Sequence, residues 1–349
     1  MSVVDETPFF SICIPAHNAL PLIQETFVSV ASQTFDNWEI VVVDDCSQDG
    51  LIDWLDKQEV VPKERLFVRR MAENKGPFYA RRVAFRSARG LYVVCIDSDD
   101  EFIGAKALQR IYSTITSADV LPDVVMFNAS LNREGNSLWI DYAEEGLTSG
   151  YNSKQKVIQA FLTTYKLNNL CLKAVKRDFL LPADLKNAQG LLMCEDRLEV
   201  AGILNKAESF ILLDEPLYYY RQNSTSTTHR LFDLDYCRQQ SYVEMSIHDM
   251  FSGNPHLSAS SELFLVMWSD DMLRIARGRS LSRTVECYRS MCSDSYFLLS
   301  LKNSDLKGLR ADKRALLHLL SRHSFAFAGV LAKMLNLMRA LVKRNECCS

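Results

Sequence analysis

Nowhere in these 349 residues is there an uninterrupted apolar run of about 18 or more, so no membrane-spanning helix is expected. The ten cysteines form no C-x-x-C pair and no clustered Cys/His spacing, which argues against a zinc module. Several of them, Cys13 and Cys95 among them, lie inside apolar runs where a thiol acts as a small hydrophobe, a pattern of the reducing cytosol rather than of a disulfide framework. Met1 to Pro8 carries two acids and no apolar core, so no signal peptide is expected and the protein is placed in the cytoplasm. A formal net charge of -3 gives no electrostatic reason to expect nucleic acid as a partner. Internal repeats and low-complexity linkers are also lacking.

What is present is an ordinary globular balance, 48% hydrophobic and 24% charged, which excludes wholesale disorder. Short apolar strands alternate with helical spacing. Phe9–Ile14 reads as a strand closed by Pro15, 21–33 as a helix, Trp38–Val43 as a strand, 51–58 as a helix and Leu66–Arg70 as a strand. Gly76-Pro77 should launch a helix over 77–89, because Pro suits the first helical position. A strand at 91–96, a helix at 104–117 and a strand at Val124–Phe127 follow. This rhythm predicts an α/β fold, a mostly parallel sheet flanked by helices. Residues 130–152 suggest a hairpin, 153–163 a helix, and Phe210–Leu213 and Leu217–Tyr220 two strands. From about 230 the pattern is helical only, giving a C-terminal helical region over 230–349 after a domain at 1–229.

Acids gather where such strands end. Asp44-Asp45 closes one strand, and Asp97-Ser98-Asp99-Asp100 closes another. Ligand sites of parallel sheets collect at these carboxyl ends. Three carboxylates within four residues repel one another, and a hard cation such as Mn²⁺ or Mg²⁺ relieves that repulsion better than zinc would. Asp99, with Asp97 or Asp100 beside it, is the candidate ligand set; taken alone, such a string is more often a solvated acidic turn. Glu195-Asp196 opens a short helix, where the dipole favours acids whatever their role.

Together these strings resemble the family 2 glycosyltransferases. Pro15-Ala16-His17-Asn18, Ser29, Gln33-Thr34-Phe35, Trp38-Glu39-Ile40 through Asp44-Asp45, Asn74-Lys75-Gly76-Pro77 through Ala80-Arg81, Ala88-Arg89-Gly90 and Asp97-Ser98-Asp99-Asp100 keep the family's order and spacing. Lys173 with Lys176-Arg177-Asp178-Phe179, then Glu195-Asp196, then Tyr219-Tyr220-Arg221 with Ser226, resemble its later segments more loosely. The resemblance implies a GT-A, Rossmann-like fold, with nucleotide-sugar binding over 8–105 and the acceptor and catalytic part over 106–229. It implies inverting transfer from a nucleotide-sugar, with UDP the commonest carrier, to a glycan or lipid-linked hydroxyl in bacterial surface polysaccharide or lipopolysaccharide synthesis. Asp196 would be the general base and Glu195 would orient it or bind acceptor hydroxyls. Asp45 would accept from the base, Arg81 would lie near the nucleotide, and Asp97 would lie toward the ribose. Pro15, Asn18, Asn74, Gly76 and Ser98 would complete the nucleotide-sugar site, and Arg221 and Ser226 would contact the diphosphate. Asp99 and Asp97 would hold the metal. His229 stands open between metal or diphosphate contact and a solvated loop. Two rivals are a nucleotidyltransferase, which needs a basic Gly-rich loop that Pro15–Leu20 lacks, and a catalytically silent nucleotide-sugar-binding or scaffold protein of the same fold.

The segment from Arg322 to Arg344 contains no acid. Phe327, Leu331, Met334, Leu335, Met338, Leu341 and Val342 fall on one side at helical spacing, with Lys333, Asn336 and Lys343 on another. Over 325–344 this reads either as a basic amphipathic helix lying on an anionic membrane surface, at the inner face of the cell membrane, or as a helix packed on the domain or in a homodimer. Cys347-Cys348 read as free thiols.

Overall fold

The computed structural model describes residues 7–180, 191, 194–222 and 234–346. In chain order the elements are β1 (Phe10–Ala16), α1 (Leu22–Ala31), β2 (Trp38–Asp44), α2 (Leu51–Lys57), β3 (Leu66–Arg70), α3 (Pro77–Ser87), β4 (Tyr92–Cys95), β5 (Glu101–Phe102), α4 (Ala107–Thr116), β6 (Val124–Ser130), β7 (Leu138–Ile140), β8 (Gly150–Asn152), α5 (Lys154–Thr163), β9 (Lys173–Lys176), α6 (Glu195–Lys206) and β10 (Phe210–Tyr219). Six helices follow: α7 (Leu234–Met250), α8 (Leu257–Ala276), α9 (Leu281–Cys292), α10 (Ser295–Asn303), α11 (Ala311–Ser321) and α12 (Phe325–Glu346). The chain divides into two compact units, residues 1–161 with 165–224, and residues 162–164 with 225–349.

The first unit carries the sheet, ordered β3-β2-β1-β4-β9-β6-β10-β5, with β7 on β6 and β8 on β10. Pairing is parallel from β3 through β4 and between β6 and β10, whereas β9 runs antiparallel to both of its neighbours. Strands β1, β2, β4 and β6 are buried along their length, which is why each reads as a continuous apolar run. Pro15 does not end β1. It pairs with Val43, beyond the reach of β4, whose pairing stops at Cys13–Cys95. The two strands expected at 210–213 and 217–220 are one strand, β10, whose register slips around Pro216 because proline cannot donate to a ladder.

A polar knot locks the first strands to the turn before β4. Glu39, buried on β2, accepts from the Ser11 hydroxyl at 2.6 Å and from Arg89 N and Nε at 2.7 and 2.8 Å. Ser11 Oγ accepts from Gly90 N at 2.8 Å, and a Cβ on Gly90 would fall 2.5 Å from Ser11 N. Arg89 therefore ties the turn before β4 to β2.

The second unit is helical and has its own core, built around Phe264, Trp268, Met272, Tyr288, Phe297 and Leu316. In α12 the expected polar side faces inward. Lys333 Nζ donates to the carbonyl of Arg279, and Asn336 Nδ2 donates to that of Leu273 at 2.8 Å. Ala328 and Ala332 are buried, while Phe327, Met334, Met338 and Leu341 are exposed. Small residues let α12 pack closely, with Phe325, Leu331 and Leu335 half-buried against the core and the other large apolar side chains left outside. Among the described residues no helix is long and apolar enough to cross a membrane.

Candidate active site

The loops after β1, β2 and β3 meet at Asp45. Its carboxylate accepts from Lys75 N at 2.8 Å and Gly76 N at 2.7 Å, so both oxygens order the turn that opens α3. Gly76 has φ +85° there, which glycine adopts without strain. His17 Nδ1 donates to the Asp45 carbonyl at 2.7 Å, leaving Nε2 to accept from Asn18 and Asn74 Nδ2, each at 3.0 Å. Asn18 also accepts from Gln48 N and donates from its own N to Ser47 Oγ, both at 2.8 Å. Asn18, Asp45, Asn74 and Gly76 thus form one hydrogen-bonded rim, and Pro15 lies buried in the strand beneath it.

At the end of β4 the acidic string splits by role. Asp100 is buried and accepts from Tyr218 OH at 2.7 Å and from Arg221 N at 2.8 Å. Burial and the charges of Asp97 and Asp99 push it well above the carboxylate range. Asp97 and Asp99 in the same string stay partly exposed. Burial also raises Asp97, Arg81 opposes that rise, and the Asp99 charge adds to it. Ser98 lies in the same turn, its carbonyl accepting from Thr26 Oγ1 at 3.2 Å. Arg221 Nε donates to the Asp99 carbonyl at 2.9 Å, and its Nη2 pairs with Glu25 at 2.9 Å and with Glu101.

The centre of the site is Arg81 on α3, whose side chain is only 5% exposed. Its Nη1 pairs with Asp196, with Glu195 at 3.3 Å and with Glu199 at 3.9 Å, and its Nη2 lies 3.8 Å from Asp97. Burial opposes the arginine's charge, but Asp196, Glu195 and Asp97 outweigh it and hold the group ionised. Four carboxylates around one cation cannot all ionise freely. Burial and the Asp196 charge push Glu195 up to about 7, and burial pushes Glu199 up to about 8. Burial raises Asp196 as well, with Arg81 and Lys173 pulling it back. Asp196 keeps 28% of its side chain open, the widest access of the three acids on α6.

One member of this cluster, Glu199, escapes a reading of the sequence, and another, Lys173, enters it only through the family resemblance, with no role attached. Glu199 lies three and four residues after Asp196 and Glu195, on the same helical face, and that spacing was the available signal. Lys173 is buried, donates to the carbonyls of Leu167 and Asn169 at 2.9 and 2.7 Å, and is pushed down to about 7 by burial. Ser226, His229 and Cys347-Cys348 lie outside the described residues.

A hard divalent cation suits the donor chemistry at the β4 tip. Asp97 and Asp99 offer accessible, mutually repelling carboxylates, and such ions commonly take one or two protein carboxylates plus substrate oxygens and water. Among the described residues no three His, Cys, Asp or Glu side chains form a closed metal cage.

A sheet with carboxylates gathered at its strand ends, and a buried arginine joining them to the start of α6, defines a GT-A glycosyltransferase fold. The same fold is found in residues 1–349 of TarS from Staphylococcus aureus, solved in complex with UDP-GlcNAc, with a TM-score of 0.68 at 18% identity over 94% of this chain and 91% of that one. The family model described as Glycosyl transferase family 2 matches residues 11–169. A putative teichuronic acid biosynthesis glycosyltransferase, TuaG of Bacillus subtilis, is 41% identical over 95 residues, 27% of this chain and 37% of that protein. TarS of S. aureus strain Mu50, a poly(ribitol-phosphate) beta-N-acetylglucosaminyltransferase, is 30% identical over 218 residues, 60% of this chain. The match covers only 35% of TarS, so the chain spans little more than a third of either relative.

Proposed function

We propose that the protein is a metal-dependent, inverting glycosyltransferase that moves a sugar from a UDP-sugar to a hydroxyl of a glycan or lipid-linked acceptor in bacterial surface-polymer synthesis. The observation that carries this reading is the Arg81 bridge. One guanidinium joins Asp97, at the donor end, to Asp196, the most accessible acid at the other end. The names of TuaG and TarS favour a surface-polymer acceptor, and the UDP-GlcNAc complex of TarS favours a UDP-linked donor.

In this reading Asp196 takes the acceptor proton as its oxygen attacks the anomeric carbon, and the sugar–diphosphate bond breaks on the opposite face, inverting the centre. Arg81 keeps Asp196 ionised and aimed, while Glu195 orients the acceptor hydroxyls. The rim of Asn18, Asp45, Asn74 and Gly76 holds the nucleoside, with Pro15 and Ser98 shaping its floor and edge. Asp97 and Asp99 would hold Mn²⁺ or Mg²⁺, which when bound supplies Lewis-acid neutralisation of the departing diphosphate. Arg221, Ser226 and His229 remain candidates for the diphosphate side.

The test is incubation of the purified chain with a panel of UDP-sugars, Mn²⁺ and surface-polymer acceptors. UDP release and the anomeric configuration of the product are measured. Inverted product with at least one donor is expected. Absence of transfer and hydrolysis with every donor, alongside calorimetric UDP binding, would leave the silent nucleotide-sugar-binding reading standing.

A further inference from the structure

The outer face of α12 is an apolar stripe that nothing in the described residues covers. Phe327, Val330, Met334, Leu337, Met338 and Leu341 are 44–73% exposed. Five of them, at 327, 330, 334, 337 and 341, repeat with the 3-4 spacing of a helix–helix seam. Their exposed area is on the order of 600 Å² per chain, at the upper end of what a monomer leaves bare, and a pair would bury about 1,200 Å², enough for a specific interface.

Charge decides between the two partners that such a stripe could take. An anionic membrane needs free lysines and arginines beside the apolar face. Between Phe327 and Leu341 the only charged residues are Lys333 and Arg339. Lys333 caps the Arg279 carbonyl, and Arg339 pairs with Asp312 at 3.3 Å and Asp270 at 3.9 Å. Both cations are committed to the helical unit and the stripe between them is neutral, with the basic residues Lys343 and Arg344 lying beyond its C-terminal end. A neutral seam meets its own copy without like-charge repulsion. An open cleft of about 1350 Å³ runs beside it, where Leu335, Leu337 and Met338 meet the charged side chains of Arg277, Arg310, Asp312, Lys333 and Arg339.

We propose that α12 pairs with α12 of a second copy of this chain, forming a two-fold symmetric dimer along this stripe. Met334 is the midpoint of the seam, so it meets its own copy whether the helices run parallel or antiparallel.

Analytical ultracentrifugation of the full chain over about 1–100 µM tests this. The wild-type chain is expected to sediment at twice the monomer mass. Met334→Glu should be monomeric, with dissociation at least tenfold easier and an unchanged far-UV circular dichroism spectrum, while its thermal midpoint loses the concentration dependence that the wild-type dimer shows. Mixing Met334→Glu with Met334→Lys chains should restore the dimer through opposite charges at the seam. A wild-type chain that stays monomeric across the range overturns the proposal, and co-sedimentation of that monomer with phosphatidylglycerol vesicles would assign the stripe to a membrane. A dimer that survives Met334→Glu, or a mixture that stays monomeric, also overturns it.

Discussion

Arg81 of α3 and Asp196 of α6 stand 115 positions apart in the sequence and share a hydrogen bond at the centre of the site. The same guanidinium reaches Glu195, Glu199 and Asp97. One arginine therefore fixes the spacing between the tip of β4 and the start of α6. It also supplies the counter-charge that lets acids crowd at that point, so the site and the local fold depend on the same ion pairs.

Removing that arginine should cost stability as well as turnover. Arg81→Met leaves Asp97, Glu195, Asp196 and Glu199 without their cation, and breaking a buried pair from one side costs about 3–5 kcal/mol. Glu195, near 7, and Glu199, near 8, can take up protons to soften the loss, so the variant should be less impaired at pH 6 than at pH 8. Urea denaturation at both pH values reads this directly. A loss under about 1 kcal/mol at pH 8 would mean the cluster is neutral without help from Arg81.

Asp196→Asn separates chemistry from binding. The amide keeps the shape and still meets Arg81, but it cannot accept the acceptor's proton. The turnover number should fall by about 10²–10⁴ while UDP-sugar affinity, measured by calorimetry, stays unchanged. If turnover holds, the base is another group, and Glu195 would be the next to replace.

How much of this could be read in the residues depends on whether the signal was local. Buried strands such as Ile12–Ile14 and Ile40–Val43 announce themselves as apolar runs, and Gly76-Pro77 marks the start of α3. Strand β9 has only Ala174 and Val175 between two lysines, so its central place in the sheet is decided by β4 and β6 on either side. Periodicity located the stripe on α12 but not its direction, because Ala328, Gly329 and Ala332 pack inward through their small size rather than their hydropathy. The family strings drew attention to Arg81, Asp97, Glu195 and Asp196, yet their convergence on one guanidinium is a product of tertiary contact. Asp100 illustrates the reverse case: it looks like its neighbours in sequence but is committed to Tyr218 and the Arg221 backbone.

A cation at Asp97 and Asp99 predicts a chelator-sensitive reaction. Treatment with EDTA should abolish UDP release, and Mn²⁺ should restore it. Asp99→Asn should raise the Mn²⁺ concentration for half-maximal rate by about tenfold or more, since a carboxylate proposed to hold the ion loses its charge. Full activity after exhaustive chelation would remove the metal from the scheme and leave Arg81 or Arg221 to meet the leaving diphosphate.

The helical unit carries a pH-dependent strain of its own at Asp271 on α8. Its side chain is 4% exposed, its Oδ2 accepts no hydrogen bond, and its one described cationic neighbour is Arg274 at 3.5 Å. Burial pushes its carboxyl up to about 7, with Arg274 opposing and Asp270 adding to the rise. Unfolded, the group titrates near about 4, so between those values the folded chain binds the extra proton. The contribution of Asp271 to stability then falls as pH rises from about 4 to 7, by up to about 4 kcal/mol if the shift is fully expressed. Asp271→Asn cannot ionise and should escape that loss. The variant should match or trail the wild type at pH 4 and exceed it at pH 8, as read by thermal unfolding of the full chain. An equal difference at both pH values would show that Asp271 remains charged throughout, with Arg274 carrying its burial.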